Sequence, residues 1–199
     1  MRSGARFELL GPRFQSVLIR HADPERDAPG CVAIYAPFVT GSAISFEDVP
    51  PTPSEFADRI ARYSRSHVFL VADDDGTVAG FAYACPHRER AAYRWTAETS
   101  VYVDAERHGQ GIGTALYEQL LSLLRSQGIR LAVGGVTLPN DASIALHRRA
   151  GFIQIGVYPS IGWKLGAWHD VAWLACDLDP EADHRPGSPT QPGPPPRLG

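Results

Sequence analysis

Arg107-His108-Gly109-Gln110-Gly111-Ile112-Gly113-Thr114 is the stretch on which the reading of this sequence turns. Before it, Thr99-Ser100-Val101-Tyr102-Val103 reads as a strand, ended by Asp104-Ala105-Glu106. After it, Ile112, Leu116, Leu120 and Leu124 recur on one face of a helix that Gln127-Gly128 terminates. Glycines let successive amides point into one concavity and let a ligand approach the backbone closely. The helix behind adds the positive end of its dipole, so a phosphate or pyrophosphate is the natural guest. A tight turn with no ligand is the alternative. Two nucleotide motifs fail here. A P-loop requires Gly-Lys followed by Ser or Thr, and the segment has no lysine. The dinucleotide fingerprint GxGxxG is also broken: the third glycine arrives one position early, and the following strand leads to Thr137-Leu138-Pro139.

Working outward, the pattern is α/β. Val17–Arg20 reads as a strand and Cys31–Val39 as a helix. Thr52-Pro53-Ser54-Glu55 starts a second helix running to about Arg65: Thr52 caps it, proline suits its first position, and Glu55 completes a capping box. Val68–Ala72, the turn Asp73-Asp74-Asp75-Gly76 and Thr77–Cys85 form a hairpin. Leu131–Val136 is a strand, Asn140–Ala150 a short helix stopped by Gly151, and Phe152–Val157 and His169–Cys176 are strands. The order β-α-α-β-β-β-α-β-α-β-β predicts a mixed sheet with helices on its faces. Residues 1–16 show no periodicity and are expected to be a tail. Residues 179–199, rich in proline with Gly, Ser and Gln, are expected to be disordered, with proline-rich partner recognition as the functional alternative.

A chain of 199 residues suits one domain, here residues 17–178. With 44% hydrophobic and 21% charged residues and a formal net charge of −3, it has no basic stripe for a nucleic acid. No apolar run approaches membrane-spanning length, and the N-terminus lacks the apolar core of a signal peptide, so a cytoplasmic protein is expected. Cys31, Cys85 and Cys176 lie far apart and in no CxxC pair; buried reduced thiols, with no disulfide framework and no metal site, are the expectation.

The strand, the R/Q-x-x-G-x-G/A turn and the helix resemble the pyrophosphate-binding signature of the GNAT N-acetyltransferases. Asn140-Asp141-Ala142-Ser143-Ile144-Ala145-Leu146-His147, followed by Ala150-Gly151-Phe152, resembles a second element of that family, whose helix lines the pantetheine arm. Further segments look like the phosphinothricin and methionine sulfoximine acetyltransferases. They are Tyr93–Val103, Leu138-Pro139-Asn140-Asp141, Gly166-Ala167-Trp168-His169-Asp170-Val171, and Ser45-Phe46-Glu47 followed by Pro50-Pro51-Thr52-Pro53. The resemblance covers roughly residues 17–178. It implies the GNAT fold, a mixed and mostly antiparallel central sheet flanked by helices. It also implies direct transfer of acetyl from acetyl-CoA to the amine of a small amino-acid-like molecule, in a homodimer. One departure is His108, where the family has Arg or Gln; another is Glu47, where the best-known phosphinothricin enzymes carry a basic residue.

Residue by residue, the resemblance places the cofactor against Val101, Tyr102 and Val103, against His108, Gly109, Gln110, Gly111, Ile112, Gly113 and Thr114, and against Asn140, Ser143 and His147. Glu98, just before the strand, maps onto the carboxylate that accepts the amine's proton; pairing with Arg94 is the structural alternative. His147 stands where many relatives carry the tyrosine that protonates the departing thiolate, and it serves as that acid or as a structural hydrogen-bonding group. A main-chain amide near Val101 or Val103 is expected to face the developing oxyanion. Phe46, Arg90 and Tyr93, with Lys164, are the expected acceptor contacts; Arg88-Glu89-Arg90 as a solvated charge run is the alternative. An acetyltransferase for a polyamine or a protein N-terminus, or a non-catalytic acyl-CoA sensor, remains a competing reading.

Overall fold

The computed structural model describes residues 5–7, 17–180 and 191–198. Its elements are β1 (Ala5–Phe7), β2 (Val17–His21), α1 (Pro24–Gly41), α2 (Pro53–Ser64), β3 (Phe69–Asp74), β4 (Thr77–Pro86), β5 (Thr96–Val103), α3 (Ile112–Gln127), β6 (Leu131–Thr137), α4 (Asp141–Arg149), β7 (Ile153–Lys164) and β8 (Ala167–Asp177). The strands form one sheet in the order β1-β2-β3-β4-β5-β6-β8-β7. Among the described strands only β5 and β6 pair in parallel.

Alternation along the strands builds two cores. On one face Leu70, Ala72 and Ala82 pack with Leu116, Leu120 and Leu124 of α3. On the other, Phe69, Val71 and Phe81 pack with Ile34, Tyr35, Phe56 and Ile60 of α1 and α2. The local signals acted as expected. Thr52 accepts the Glu55 amide at 3.3 Å while the Glu55 carboxylate accepts the Thr52 amide at 2.7 Å. Asp75 and Gly76 turn the β3–β4 hairpin with φ of 48° and 94°, the left-handed pair that an Asp-Gly turn supplies.

Several elements depart from expectation. Helix α1 begins at Pro24, well before Cys31, because the Asp23 carboxylate caps the Glu25 and Arg26 amides. Strand β7 continues past Val157 to Lys164; as an edge strand it accommodates Pro159, and its pairing with β8 shifts register between Tyr158 and Gly162. Ala5–Phe7, expected in a tail, pairs with β2.

Of the proline-rich end, residues 181–190 lie outside the described residues, while 191–198 pack back onto the domain. The Gly193 amide donates to the Gln127 carbonyl at 2.7 Å, and Leu198 joins the α3-side core. There Leu198 enters an apolar site, and the Gln127 side-chain amide donates to the Gly193 carbonyl at 3.0 Å.

The feature that positions the site is a fork. The β5–β6 ladder ends at Glu98 opposite Val133, although β5 runs on to Val103 and β6 to Thr137. The Thr99 hydroxyl donates to the Val133 carbonyl at 3.1 Å, and beyond it the strands separate.

Candidate active site

The glycine turn builds one wall. Gly109 and Gly111 have φ of 75° and 83°, which side-chain-bearing residues rarely adopt, and Gly111 is the N-terminal cap of α3. At Gly113 a Cβ would lie 3.1 Å from Leu146, so its absence lets α3 lie close to α4. The result is a groove of about 400 Å³ between the open arm of β5, the α3 N-terminus and α4. Val101, Tyr102, Val103, His108, Gly109, Gly111, Ile112, Gly113, Thr114, Asn140 and Ser143, all expected against the cofactor, line it. Gln110 is not among the lining residues; its amide donates to the Glu106 carbonyl at 3.3 Å. His108 donates from Nε2 to the Val103 carbonyl at 3.1 Å. Arg107 pairs with Asp74 at 2.6 Å. Arg149, which the sequence reading did not single out, lines the groove from the last turn of α4.

At the fork the groove meets a smaller cleft of about 50 Å³; Ile44, Val101, Tyr102, Asn140 and Ser143 line both. His147 lines the cleft and is buried. Its Nδ1 lies 2.8 Å from the Ser143 carbonyl, which only accepts, so Nδ1 carries the proton. Nε2 then accepts from the Tyr117 hydroxyl at 2.8 Å. Burial lowers the His147 pKa, against a smaller upward effect of the Ser143 bond. Burial pushes Tyr117 upward, against the Thr99 hydroxyl. Both groups are therefore neutral at neutral pH. Gly134 of β6 lies beneath the imidazole, where a Cβ would stand 2.6 Å from Nε2.

Glu98 lies inside β5 as its third residue, a correction to its expected place before the strand. Thr99 faces Tyr117, so Glu98, one residue earlier, points to the opposite face of the sheet. The Arg94 alternative is not realised: that guanidinium donates to the Ala91 carbonyl at 2.7 Å and to Gln191 at 2.8 Å. Glu98 instead meets His87, with Oε2 3.3 Å from Nδ1. The His87 ring lies between the edges of Tyr93 and Trp173, at 6.1 and 5.7 Å between centroids. Trp173 Nε1 is buried and has no partner among the described residues.

The expected acceptor contacts divide. Tyr93 sits beside His87, near Glu98. Phe46 is half exposed, its ring resting on Gly162 of β7. Arg90 is exposed, at the start of a short turn over Ala91–Tyr93. Lys164 is buried, and its ammonium donates to the Val39, Ser45 and Glu47 carbonyls. All three of its donors are engaged, which removes it from direct acceptor contact. Glu47 accepts from Arg59 at 2.9 Å and from Tyr35 at 3.0 Å.

Tyr117, His87 and Trp173 were missed. Tyr117 was legible in principle, as a polar aromatic inside an apolar helix stripe. His87 and Trp173 carried no spacing signal. Cys31, Cys85 and Cys176 are free thiols, and burial pushes Cys85 up to about 12. Among the described residues no group of three or more His, Cys, Asp or Glu side chains is placed to hold a metal.

The sequence profile of the acetyltransferase (GNAT) family matches residues 37–152. The chain belongs to the GNAT acetyltransferase family. Among its relatives, the phosphinothricin N-acetyltransferase of Streptomyces viridochromogenes is 37% identical over 180 residues, covering 90% of this chain and 98% of that one. The L-methionine sulfoximine/L-methionine sulfone acetyltransferase of Pseudomonas paraeruginosa is 36% identical over 159 residues, covering 77% and 91%. A GNAT phosphinothricin acetyltransferase from Sinorhizobium meliloti, solved in complex with AcCoA, superposes with a TM-score of 0.78 at 32% identity, covering 88% of this chain and 92% of that one. The GNAT fold thus accounts for the fork, the glycine turn and the α4 wall together.

Proposed function

We propose that this chain is an acetyl-CoA-dependent N-acetyltransferase acting on the amine of a small amino-acid-like molecule of the phosphinothricin or methionine sulfoximine type. The observation that carries it is the fork between β5 and β6. It joins a phosphate-cradling groove on one face of the sheet to a carboxylate on the other. The chain's likeness to the relatives named above supports the acceptor class.

The residues present fit acetyl-CoA. Gly109 has open space where a side chain would stand, and the α3 N-terminus turns its unpaired amides toward the same place. Arg149 adds positive charge to the groove. The main chain of Val101–Val103, which β6 does not pair, lies along the groove and offers an amide to the developing oxyanion. From the other face Glu98 accepts the proton of the acceptor ammonium, freeing the nitrogen lone pair to attack the thioester carbonyl. Such general-base help is typically worth roughly 10²–10⁴-fold. His147 and Tyr117 form one hydrogen-bonded unit in the cleft on the side of the fork where a thiolate would leave, and the proton that would restore its thiol is the second one the acceptor nitrogen loses on becoming an amide.

The same reading holds the protein to be a cytoplasmic homodimer. No helix among the described residues is long and apolar enough to cross a membrane. The edge strand β7, the turn after it and the start of β8 expose Ile153, Ile155, Ile161, Trp163, Leu165 and Trp168, an apolar edge suited to a second copy of the chain.

The test is release of CoA thiol by purified protein with L-phosphinothricin, methionine sulfoximine, methionine sulfone, a polyamine and an N-terminal peptide side by side. Turnover confined to the amino-acid analogues is expected. Turnover of the polyamine or peptide alone overturns the acceptor class. Silence with acetyl-CoA still bound favours the sensor.

A further inference from the structure

The loop between α1 and α2, residues 42–52, has little regular structure of its own, yet it reaches the site at the fork. Ile44 lines the groove and the cleft at the fork. Phe46 lies over β7, with its ring in the space a Cβ on Gly162 would occupy, 2.4 Å from that position. What holds this loop comes from far along the chain. Lys164, the last residue of β7, is 6% exposed and sends its ammonium under the loop. It donates to the Val39 carbonyl near the end of α1 at 2.6 Å, to Ser45 at 2.5 Å and to Glu47 at 2.7 Å. Tyr35 adds a bond to the Ser45 hydroxyl at 2.7 Å.

A buried ammonium is tolerated only when its donors are satisfied, and three carbonyls are what an ammonium saturates. Each of the three oxygens, in turn, has a donor here that the loop's own backbone does not provide. The bonds link residues more than a hundred positions apart, so they set the loop against β7 rather than shaping it locally.

We propose that Lys164 is a positioning residue for acceptor binding: its ammonium tripod, together with the side-chain-free surface at Gly162, seats the Ser42–Glu47 loop with Phe46 over β7 and Ile44 at the fork. Lys164 acts through the loop and does not touch the acceptor. This rests on the acetyltransferase reading above, and its test separates the two.

The variants are Lys164→Met, Lys164→Arg and Gly162→Ala. With acceptor varied at saturating acetyl-CoA, Lys164→Met is expected to raise the acceptor KM about tenfold, with kcat within about threefold, the signature of lost ground-state and transition-state binding together. Gly162→Ala displaces Phe46 without touching the ammonium and is expected to raise the same KM. Lys164→Arg is not expected to restore it, because a planar guanidinium fork does not reproduce three convergent bonds to main-chain oxygens. The dissociation constant of acetyl-CoA is expected to change less than the acceptor KM in all three, since the loop gives the groove only Ile44 while the amide cradle at residues 109–114 is untouched. Hydrogen exchange, read without any acceptor, is expected to be faster in the amides of residues 43–47 in Lys164→Met than in wild type.

A Lys164→Arg variant with wild-type KM overturns the proposal in favour of direct charge contact with the acceptor, because arginine binds an acidic group at least as well. Unchanged KM in Lys164→Met and Gly162→Ala, with only a lower melting temperature, overturns it in favour of a scaffold role. If no acceptor is turned over even by wild type, the functional reading fails, and unchanged exchange in the loop then overturns the clamp on its own.

Discussion

Replacing Gly134 by alanine tests whether the His147 imidazole is pinned as the structure holds it. A Cβ there would stand 2.6 Å from Nε2, where ordinary contact begins at 3.4 Å, so the ring must retreat by the difference of 0.8 Å. It has nowhere to go without loss. Nδ1 is bonded to the Ser143 carbonyl and Nε2 to the Tyr117 hydroxyl, each at 2.8 Å, and a 0.8 Å displacement along either bond stretches it to 3.6 Å, which is no longer a hydrogen bond. One buried polar group left without a partner costs about 1–3 kcal/mol. The gain from replacing a strand glycine by alanine returns roughly 0.5–1 kcal/mol. A net loss of about 1–2 kcal/mol lowers the melting temperature by roughly 2–8 °C for a domain of this size. Calorimetry of the ligand-free protein reads that shift. Thiol release reads the second consequence, a fall in kcat of about tenfold or more when a proton-handling unit is displaced. An unchanged melting temperature and unchanged turnover refute the reasoning: the ring would then be free to move. A lower melting temperature with unchanged kcat refutes the catalytic part alone, leaving His147 as a structural group.

Glu98→Gln is expected to lower kcat/KM strongly at neutral pH and less at alkaline pH, where the amine deprotonates unaided; a pH–rate profile with no difference removes Glu98 from the mechanism. His147, His21 and His67 all have pKa values lowered by burial, so the folded state takes up protons less readily than the unfolded chain. Their contribution to stability is therefore present above the ordinary histidine value of 6.5 and is lost as pH falls below it, and the urea midpoint is expected to be lower at pH 5.5 than at pH 8. Deleting residues 191–199 removes buried Leu198 and the Gln127–Gly193 bonds. Burial of one leucine is worth about 1.5–3 kcal/mol, so a melting temperature roughly 3–12 °C lower is expected, and no change refutes the packing of this segment. Trp163→Glu combined with Trp168→Glu is expected to halve the mass seen by light scattering, and a wild-type monomer overturns the homodimer.

The parts of the fold legible in the sequence are those whose causes are local. The glycine turn required left-handed backbone at Gly109 and Gly111, the Thr52–Glu55 box closed over three residues, and Asp75-Gly76 turned a hairpin. The leucine stripe of α3 follows from helix periodicity alone. Each rests on dihedral preference or short spacing, which a single chain displays directly. The groove residues followed for the same reason, since the turn and the two elements beside it are contiguous in sequence. What the sequence could not display are pairings made across the sheet. Glu98 was expected just before the strand with Arg94 as its structural partner, but it lies inside β5 beside His87, because the β4–β5 pairing sets Cys85 opposite Glu98 and brings His87 to that face while the short turn carries Arg94 away. Lys164 carries the charge expected of an acceptor contact, yet it lies under a loop more than a hundred residues away. Leu198 is one apolar residue in a proline-rich segment, and only an open site on the α3-side core gives it somewhere to go. Local backbone preference and hydrophobic period determined most of the elements and the glycine turn; long-range register, which sets which side chains meet and which charges are buried, was decided only when those elements packed.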